Sequence, residues 1–426
     1  MRTKVQIGLA SFQFMINGRR AIFYTFLTLF MVENLGANFI EVGLVITLPM
    51  FINSTMQALV WGRLSDRIKR RRLLMIIGET SAGIGYLLLW TSISIWNIIL
   101  GLTLIEAIWS MSNTGWAALF ADLTKPQERS TLMGRINSLG VIGRLVGLTS
   151  IGILYDYPTP SAGFHFAFPI AALIMFISVI TLVILVPETK IDSKIQEPVA
   201  ASTAKIASDK LPSSYRIRFF IFLACWAIIT ISWTCYNSLF TVFLRNSLNL
   251  TSIEIALVMN LNAGIGLIAA PVAGYMGDIL GRKFVMFEAF LIQAVTTVLY
   301  PFAGNLPAML LVATLGGIPR QVYFTVGYAL AADLIPMQSR GRLFGVYNAV
   351  WTLSFGGSPT FVGGVFASSR EASYLASGYS PSASTILAIS DLFFLSTGIM
   401  VVGAALFMIG VKETKNENLM EKTSNT

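Results

Sequence analysis

The stretch Gly62-Arg63-Leu64-Ser65-Asp66-Arg67-Ile68-Lys69-Arg70-Arg71-Arg72 recurs, weakened, as Gly274-Tyr275-Met276-Gly277-Asp278-Ile279-Leu280-Gly281-Arg282-Lys283, 212 residues later. The shift holds elsewhere in the chain. Glu41 answers Glu254 at 213, Asp122 and Arg129 answer Asp333 and Arg340 at 211, and Glu188-Thr189-Lys190 answers Glu413-Thr414-Lys415 at 225. One half is a diverged copy of the other, and a fused pair of membrane repeats is the first reading.

Composition places those repeats in a bilayer. The chain has 426 residues, 55% hydrophobic and 12% charged, too apolar for a water-exposed surface of this size. Apolar stretches of about 20 residues, the span of the hydrocarbon, follow one another twelve times, six in each half. They are expected as helices near 6–31, 40–61, 73–95, 97–121, 132–154 and 165–186, then 217–243, 252–273, 284–303, 306–331, 342–367 and 387–411. The fold class is therefore an all-α membrane protein of twelve transmembrane helices in two pseudo-symmetric bundles, 1–186 and 216–411. A polar linker, 187–215, joins them and a tail, 412–426, follows. The Ser- and Ala-rich segment Ser368–Thr385 is expected as a mobile outer loop. No small-residue cleavage site follows the first apolar stretch, so no cleavable signal is expected.

A net charge of +9 would suggest nucleic acid in a soluble protein, but the positions of the charges exclude that partner. Of 30 Lys and Arg, 24 fall in segments assigned to the cytoplasm, so both termini are expected to be cytoplasmic and the chain to be a multi-pass protein of the cell membrane. Only Arg245 and Arg370 are assigned to outer loops. Asn17-Gly18-Arg19-Arg20 interrupts the first span, yet residues 6–31 must cross if the Gly62 turn is to be cytoplasmic. Cys225 and Cys235 lie ten positions apart on one helix, roughly 15 Å, and cannot pair.

The repeated turn resembles the signature of the major facilitator superfamily, Gly-x-Leu-x-Asp-Arg-x-Gly-Arg-Lys, and the resemblance covers nearly the whole chain. Gly62, Leu64, Asp66, Arg67, Arg70 and Arg71 match, with Lys69 at the second glycine; the second copy keeps Gly281 but has Ile279 after Asp278. Asp122 to Arg129 and Pro187-Glu188-Thr189 resemble further landmarks. Gly62 and Gly274 are read as helix ends at a tight reversal, and the aspartates as acceptors for amides at a neighbouring helix start. The resemblance implies that Asp66 also latches the two bundles. The gate set is Gly62, Asp66, Arg67, Arg70, Asp122 and Arg129 with Gly274, Asp278, Gly281, Arg282, Asp333 and Arg340, the full acid-base set lying in the first half.

Ionisable groups at membrane depth are costly unless paired or wetted, and so mark function. Arg19, Arg20, Arg144, Arg320 and Glu106 fall at that depth, whereas Glu79 and Glu288 are expected to reach an interface. The resemblance implies that helices 1, 4, 7 and 10 line the pathway, so one of Arg19 and Arg20 would face it beside Glu106 and Arg320. Glu106 and Arg144 are an expected pair, functional or structural. Four arginines against one acid favour an anionic ligand held by guanidinium forks. The helix 7 counterparts of Arg19 and Arg20, Ile231 and Ser232, depart from the phosphate-exchanger pattern. Trp109, Trp116, Trp226, Trp233, Tyr236, Tyr323, Tyr328 and Trp351 complete the lining or serve as packing. Helix 11, with Gly356, Gly357, Pro359, Gly363 and Gly364, suits gating. His165 is read as interfacial.

Enzyme motifs are missing, and a single histidine excludes most metal sites. No cofactor is expected. The resemblance implies a secondary active transporter working by alternating access; the excess of arginines points to a small organic, anionic solute, Glu106 is the expected proton carrier, and a monomer is expected. The alternatives are a proton-driven efflux antiporter for amphipathic compounds and, more remotely, a non-transporting sensor on the same fold.

Overall fold

Apolar runs with few breakers fold into twelve helical rods among the described residues of the computed structural model. These residues are 3–68, 70–91, 94–123, 129–159, 162–188, 213–334 and 340–411. Most of the linker, the tail, Lys69, and the side chains of Asp66, Asp122, Arg129 and Arg340 lie outside them. The first six rods are α1 (Thr3–Leu35), α2 (Phe39–Met56, then a π-helical turn Gln57–Trp61, then Gly62–Ile68), α3 (Arg71–Trp90), α4 (Ile95–Leu123), α5 (Arg129–Leu154) and α6 (Ala167–Leu185). The second six begin with α7 (Ser213–Thr234 and Phe240–Leu248), α8 (Ser252–Gly264 and Gly266–Leu280) and α9 (Arg282–Leu299). They end with α10 (Leu306–Val322, a π turn Tyr323–Gly327, Tyr328–Leu334), α11 (Arg340–Ser358, a π turn Pro359–Gly364, Val365–Ala376) and α12 (Pro381–Gly410). Ten of them are long and apolar enough to cross a membrane; α1 and α11 are not among those ten. Arg19 and Arg20 do not split α1, which runs unbroken.

Three expectations are corrected. Gly62 and Gly274 do not end helices: both lie inside them, and the reversal in the second half falls at Gly281, whose φ of 98° only glycine adopts readily. The segment expected as a loop from Ser368 is helical to Ala376, because Ser and Ala extend a helix, and α12 already begins at Pro381. Arg370 is accordingly a helical residue, its Nη2 donating to Tyr374 Oη one turn on at 2.9 Å. Glu41 and Glu254, paired in the repeat, do the same job. Each reaches back to a backbone N–H at its helix start, at Asn38 (2.9 Å) and Thr251 (2.8 Å).

The chain packs as two compact units. The first comprises Met1–Ile191, Asn237–Asn260 and Pro359–Ile386, the second Asp192–Tyr236, Leu261–Ser358 and Leu387–Thr426. In the first, α5 lies directly on α1: a Cβ on Gly143 would run into the Phe14 carbonyl, and one on Gly147 into the Gly18 carbonyl. Likewise α2 meets the π turn of α11, where a Cβ on Gly43 would sit 2.6 Å from Thr360 Cα and Thr47 bonds Thr360 at 2.7 Å. At the Leu35 end of α1, Arg245 binds Glu33 at 2.9 Å and Asp156 at 2.5 Å, and Tyr155 donates to Glu33. Burial works against the Asp156 carboxylate, but Arg245 and Ser252 outweigh it and hold its pKa below the ordinary aspartate value. That stabilisation is present above the unfolded pKa and is lost as pH falls through the folded one.

In the second unit an aromatic core of Phe222, Trp226, Trp233, Tyr323 and Tyr347 joins α7, α10 and α11, with Trp351 packed against it. Ser232 and Ser396 tie α7 to α12 through mutual hydroxyl–carbonyl bonds of 2.7 Å. Asp333 closes on Arg282, which also lies 3.8 Å from Asp278. Arg282 thus takes the place of the cation that Ile279 does not supply.

The α1–α5 contact yields a stability test. Gly143→Val is expected to lower the thermal unfolding midpoint in detergent, by about 1–3 kcal/mol of overpacking. Gly134→Val on the same helix, where a Cβ meets nothing within 4 Å, is expected to move it much less.

Candidate functional site

In the first unit polar residues of α1, α3 and α4 converge on Trp109. Arg19 is fully buried; its Nη1 donates to Tyr86 Oη at 2.5 Å, and its Cζ lies 4.9 Å from the Trp109 ring. Arg20 is exposed and sits 4.7 Å from the same ring. The indole N–H of Trp109 donates to Glu79 Oε1 at 2.7 Å, and Ser112 Oγ donates to the same oxygen at 2.7 Å. Glu79, expected at an interface, is instead completely enclosed. It escaped the sequence reading because depth along α3 was judged from distance to the helix end, while α4 and α6 pack over that face. Its presence makes two acids, not one, among the four arginines.

Glu106 is buried on α4, where Oε1 accepts from Tyr24 Oη at 2.8 Å and Oε2 from Asn53 Nδ2 at 2.7 Å. Gln57 Nε2, in the π turn of α2, donates to Asn53 Oδ1 at 2.5 Å. The expected Glu106–Arg144 pair is replaced by these neutral partners; Arg144 is half-buried on α5. Tyr24, Asn53 and Gln57 were missed because isolated amides and phenols on apolar helices carry no spacing signal. Proteins tolerate such groups in hydrocarbon only when bonded, so their clustering around an acid is informative once seen.

In the second unit Arg320 follows Pro319 on α10, half-buried, its Cζ 5.7 Å from the Trp233 ring. Among the described residues neither Arg20 nor Arg320 has a carboxylate or hydrogen-bond partner. Tyr236 is buried in the turn between the two segments of α7, accepting from Gln293 Nε2 at 3.2 Å, and Tyr323 is buried between Trp226 and Phe290. Trp116 stacks on Phe120, Tyr328 and Glu288 are exposed, and so is His165, its ring edge-on to Phe30. Of the gate set, Arg67 and Arg70 are exposed near the α2–α3 turn, and Arg71 beside them bonds Ser65. No group of three or more possible metal ligands occurs among the described residues.

Removing the acceptor from Trp109 has a measurable cost. Glu79→Ala leaves the indole N–H and the Ser112 hydroxyl unpaired and is expected to destabilise the protein in detergent by about 3 kcal/mol. Glu79→Gln keeps a carbonyl acceptor and should recover most of that loss. Equal midpoints for the two variants would show that acceptance by Glu79 is not what holds the cluster.

The sequence profile described as Major Facilitator Superfamily matches residues 9–240 and again 222–424. An uncharacterized MFS-type transporter of Methanocaldococcus jannaschii is 30% identical over 121 residues, 28% of this chain and 31% of that protein. Another, from Bacillus subtilis, is 24% identical over 144 residues, 34% of this chain and 35% of that protein. This chain therefore aligns with only about a third of each relative's length. Among solved structures, a bacterial homolog of the human lysosomal transporter Spinster, inward-facing and unoccupied, superposes with a TM-score of 0.80 at 11% identity, covering 96% of this chain and 97% of that one. The nucleoside transporter NupG does so at 0.74 and 15%, covering 96% and 99%. The peptide transporter POT, in complex with sulfate, does so at 0.71 and 14%, covering 96% and 95%. At these identities the likeness is one of fold.

Proposed function

We propose that this chain, which belongs to the major facilitator superfamily, moves a small organic solute bearing an anionic group, by alternating access and together with protons. The observation that carries the anionic cargo is the state of Arg20 and Arg320: two guanidinium groups at mid-helix with no acid partner among the described residues. A cation at membrane depth costs several kcal/mol unless it is paired or wetted, and an arriving anion supplies the missing pair. The sequence halves 1–186 and 216–411 are the moving bodies in this reading.

The two acids of the first unit divide by the chemistry of their partners. An indole N–H only donates, so Glu79 is held as an acceptor. Glu106 meets a phenol and a carboxamide, each able to donate or accept, so the same partners suit both its carboxylate and its protonated form. With both acids ionised they balance Arg19 and Arg20. Protonation of Glu106 leaves one positive charge in excess and raises affinity for an anion; by linkage the anion raises affinity for the proton. Glu106 is thus the proton site, and the coupling is symport.

Counterflow in proteoliposomes with matched anionic and cationic solutes tests the cargo. Anions are expected to exchange, and Arg320→Ala to lose at least about tenfold, roughly 1.4 kcal/mol; exchange of cations alone, unchanged in Arg320→Ala, would sink the anionic reading. Glu106→Gln is expected to keep counterflow but lose accumulation driven by a pH gradient. Full retention of that dependence would remove Glu106 as the proton site, and binding without any flux would favour a sensor.

A further inference from the structure

In each half of the chain a guanidinium that has no carboxylate or hydrogen-bond partner among the described residues lies over an indole ring, and the repeat register relates the two pairs. The first half's indole also carries the Tyr86-bonded Arg19. In the first half Arg20 of α1 lies against Trp109 of α4; in the second, Arg320 of α10 lies against Trp233 of α7. The register is set by helix ends. α4 and α10 both begin and end 211 residues apart, at Ile95 and Leu306 and at Leu123 and Leu334. Leu35 and Leu248 close α1 and α7 at a shift of 213, and Phe39 and Ser252 open α2 and α8 at the same shift. Thr28 and Thr241, also 213 apart, bond each other at 3.1 Å. The helix ends correct by one residue the shift of 212 that set Ser232 opposite Arg20: at 213 Arg20 falls on Trp233, and at 211 Trp109 falls on Arg320.

The two positions are therefore the same in both copies with the side chains exchanged. One copy has arginine on its first helix and tryptophan on its fourth; the other has tryptophan on its first and arginine on its fourth. Packing alone would be satisfied by two apolar residues at each contact. Both contacts instead join a cation and an indole, on opposite partners.

We infer that each pair is an anion-receiving element, one per half, specific for an oxyanion with two coplanar acceptor oxygens: a carboxylate, a phosphate monoester or a sulfonate. The indole face supports the flat guanidinium and takes none of its N–H donors. The planar fork then meets two oxygens at once, which a lysine ammonium cannot do. This rests on the anionic cargo proposed above and adds the chemistry of the recognising element.

The test uses the purified full chain with benzoate, phenyl phosphate, benzenesulfonate and, as a cationic control, benzylammonium, read by thermal shift and equilibrium dialysis. At least one anion is expected to bind the wild type at millimolar concentration, and the three arms identify which oxyanion is preferred. Arg20→Lys and Arg320→Lys are each expected to weaken it about tenfold or more. Trp233→Leu should do the same with the arginine untouched, and Trp233→Phe should not. The exchange Trp233→Arg with Arg320→Trp, which gives the second half the arrangement of the first, should recover most of the affinity lost in Arg320→Trp alone. The inference is overturned if no anion binds the wild type, if lysine serves as well as arginine, or if a folded exchange variant binds no better than the single variant. Should the exchange variant not fold, the lysine and Trp233 variants decide alone. If benzylammonium exchanges in counterflow and no anion does, the cargo reading has failed; if anions exchange but the substitutions leave their affinity unchanged, only this inference has.

Discussion

Arg19 is the constraint on which the first unit is built. A guanidinium enclosed among helices that cross hydrocarbon cannot borrow water, so its charge has to be met from within the protein. Tyr86 takes one N–H, Trp109 offers its face, and the indole N–H of Trp109 ends on Glu79. Residues of α1, α3 and α4 are thereby committed to one arrangement. The glycines of α5 complete the enclosure by letting it approach the α1 backbone at Phe14 and Gly18. Breaking any member strands a polar group where the solvent cannot satisfy it.

Arg19 is met at Nη1 while its Nε and Nη2 find no hydrogen-bond partner among the described residues, and Arg20 and Arg320 find no hydrogen-bond or carboxylate partner there at all. Both are held by an aromatic face, which orients the fork without consuming its donors. The difference between Arg19 and Arg20, one residue apart on a continuous helix, is the rotation of about 100° between neighbours. One side chain points into the packed core and its neighbour out of it. The acids divide in the same manner, since Glu79 faces a pure donor and Glu106 faces groups of either polarity.

The turns between helices show a further division of labour. In the second half Gly281 makes the reversal at positive φ, and Arg282 binds Asp333 while lying near Asp278. Gly62 and Gly274, the first residues of the repeated stretch, lie inside helices. At the other end of α7, Arg245 gathers Glu33 and Asp156 with five hydrogen bonds in all, including those to Leu250 and Ser252. The arginines at these helix ends are met by carboxylates, whereas Arg20 and Arg320 at mid-helix are met by aromatic faces.

Apolar run lengths, the 212-residue repeat and the placement of basic residues determined the class of fold and the family, because hydrocarbon thickness dictates span length and a duplication leaves its register in the chain. The mid-helix arginines and Glu106 were equally legible, since a charge inside an apolar run is visible in one dimension. What only the tertiary structure decided was which charges are paired. Glu79 sits near the start of α3 in sequence but deep beneath α4; Glu106 meets Tyr24 and Asn53 rather than Arg144; and Trp109 and Trp233 support arginines instead of merely packing. Ser368 to Ala376 likewise reads as loop by composition and folds as helix. Partnership depends on which faces of separate helices meet, and that is set by crossing angle and rotation about each axis, neither of which composition or period encodes.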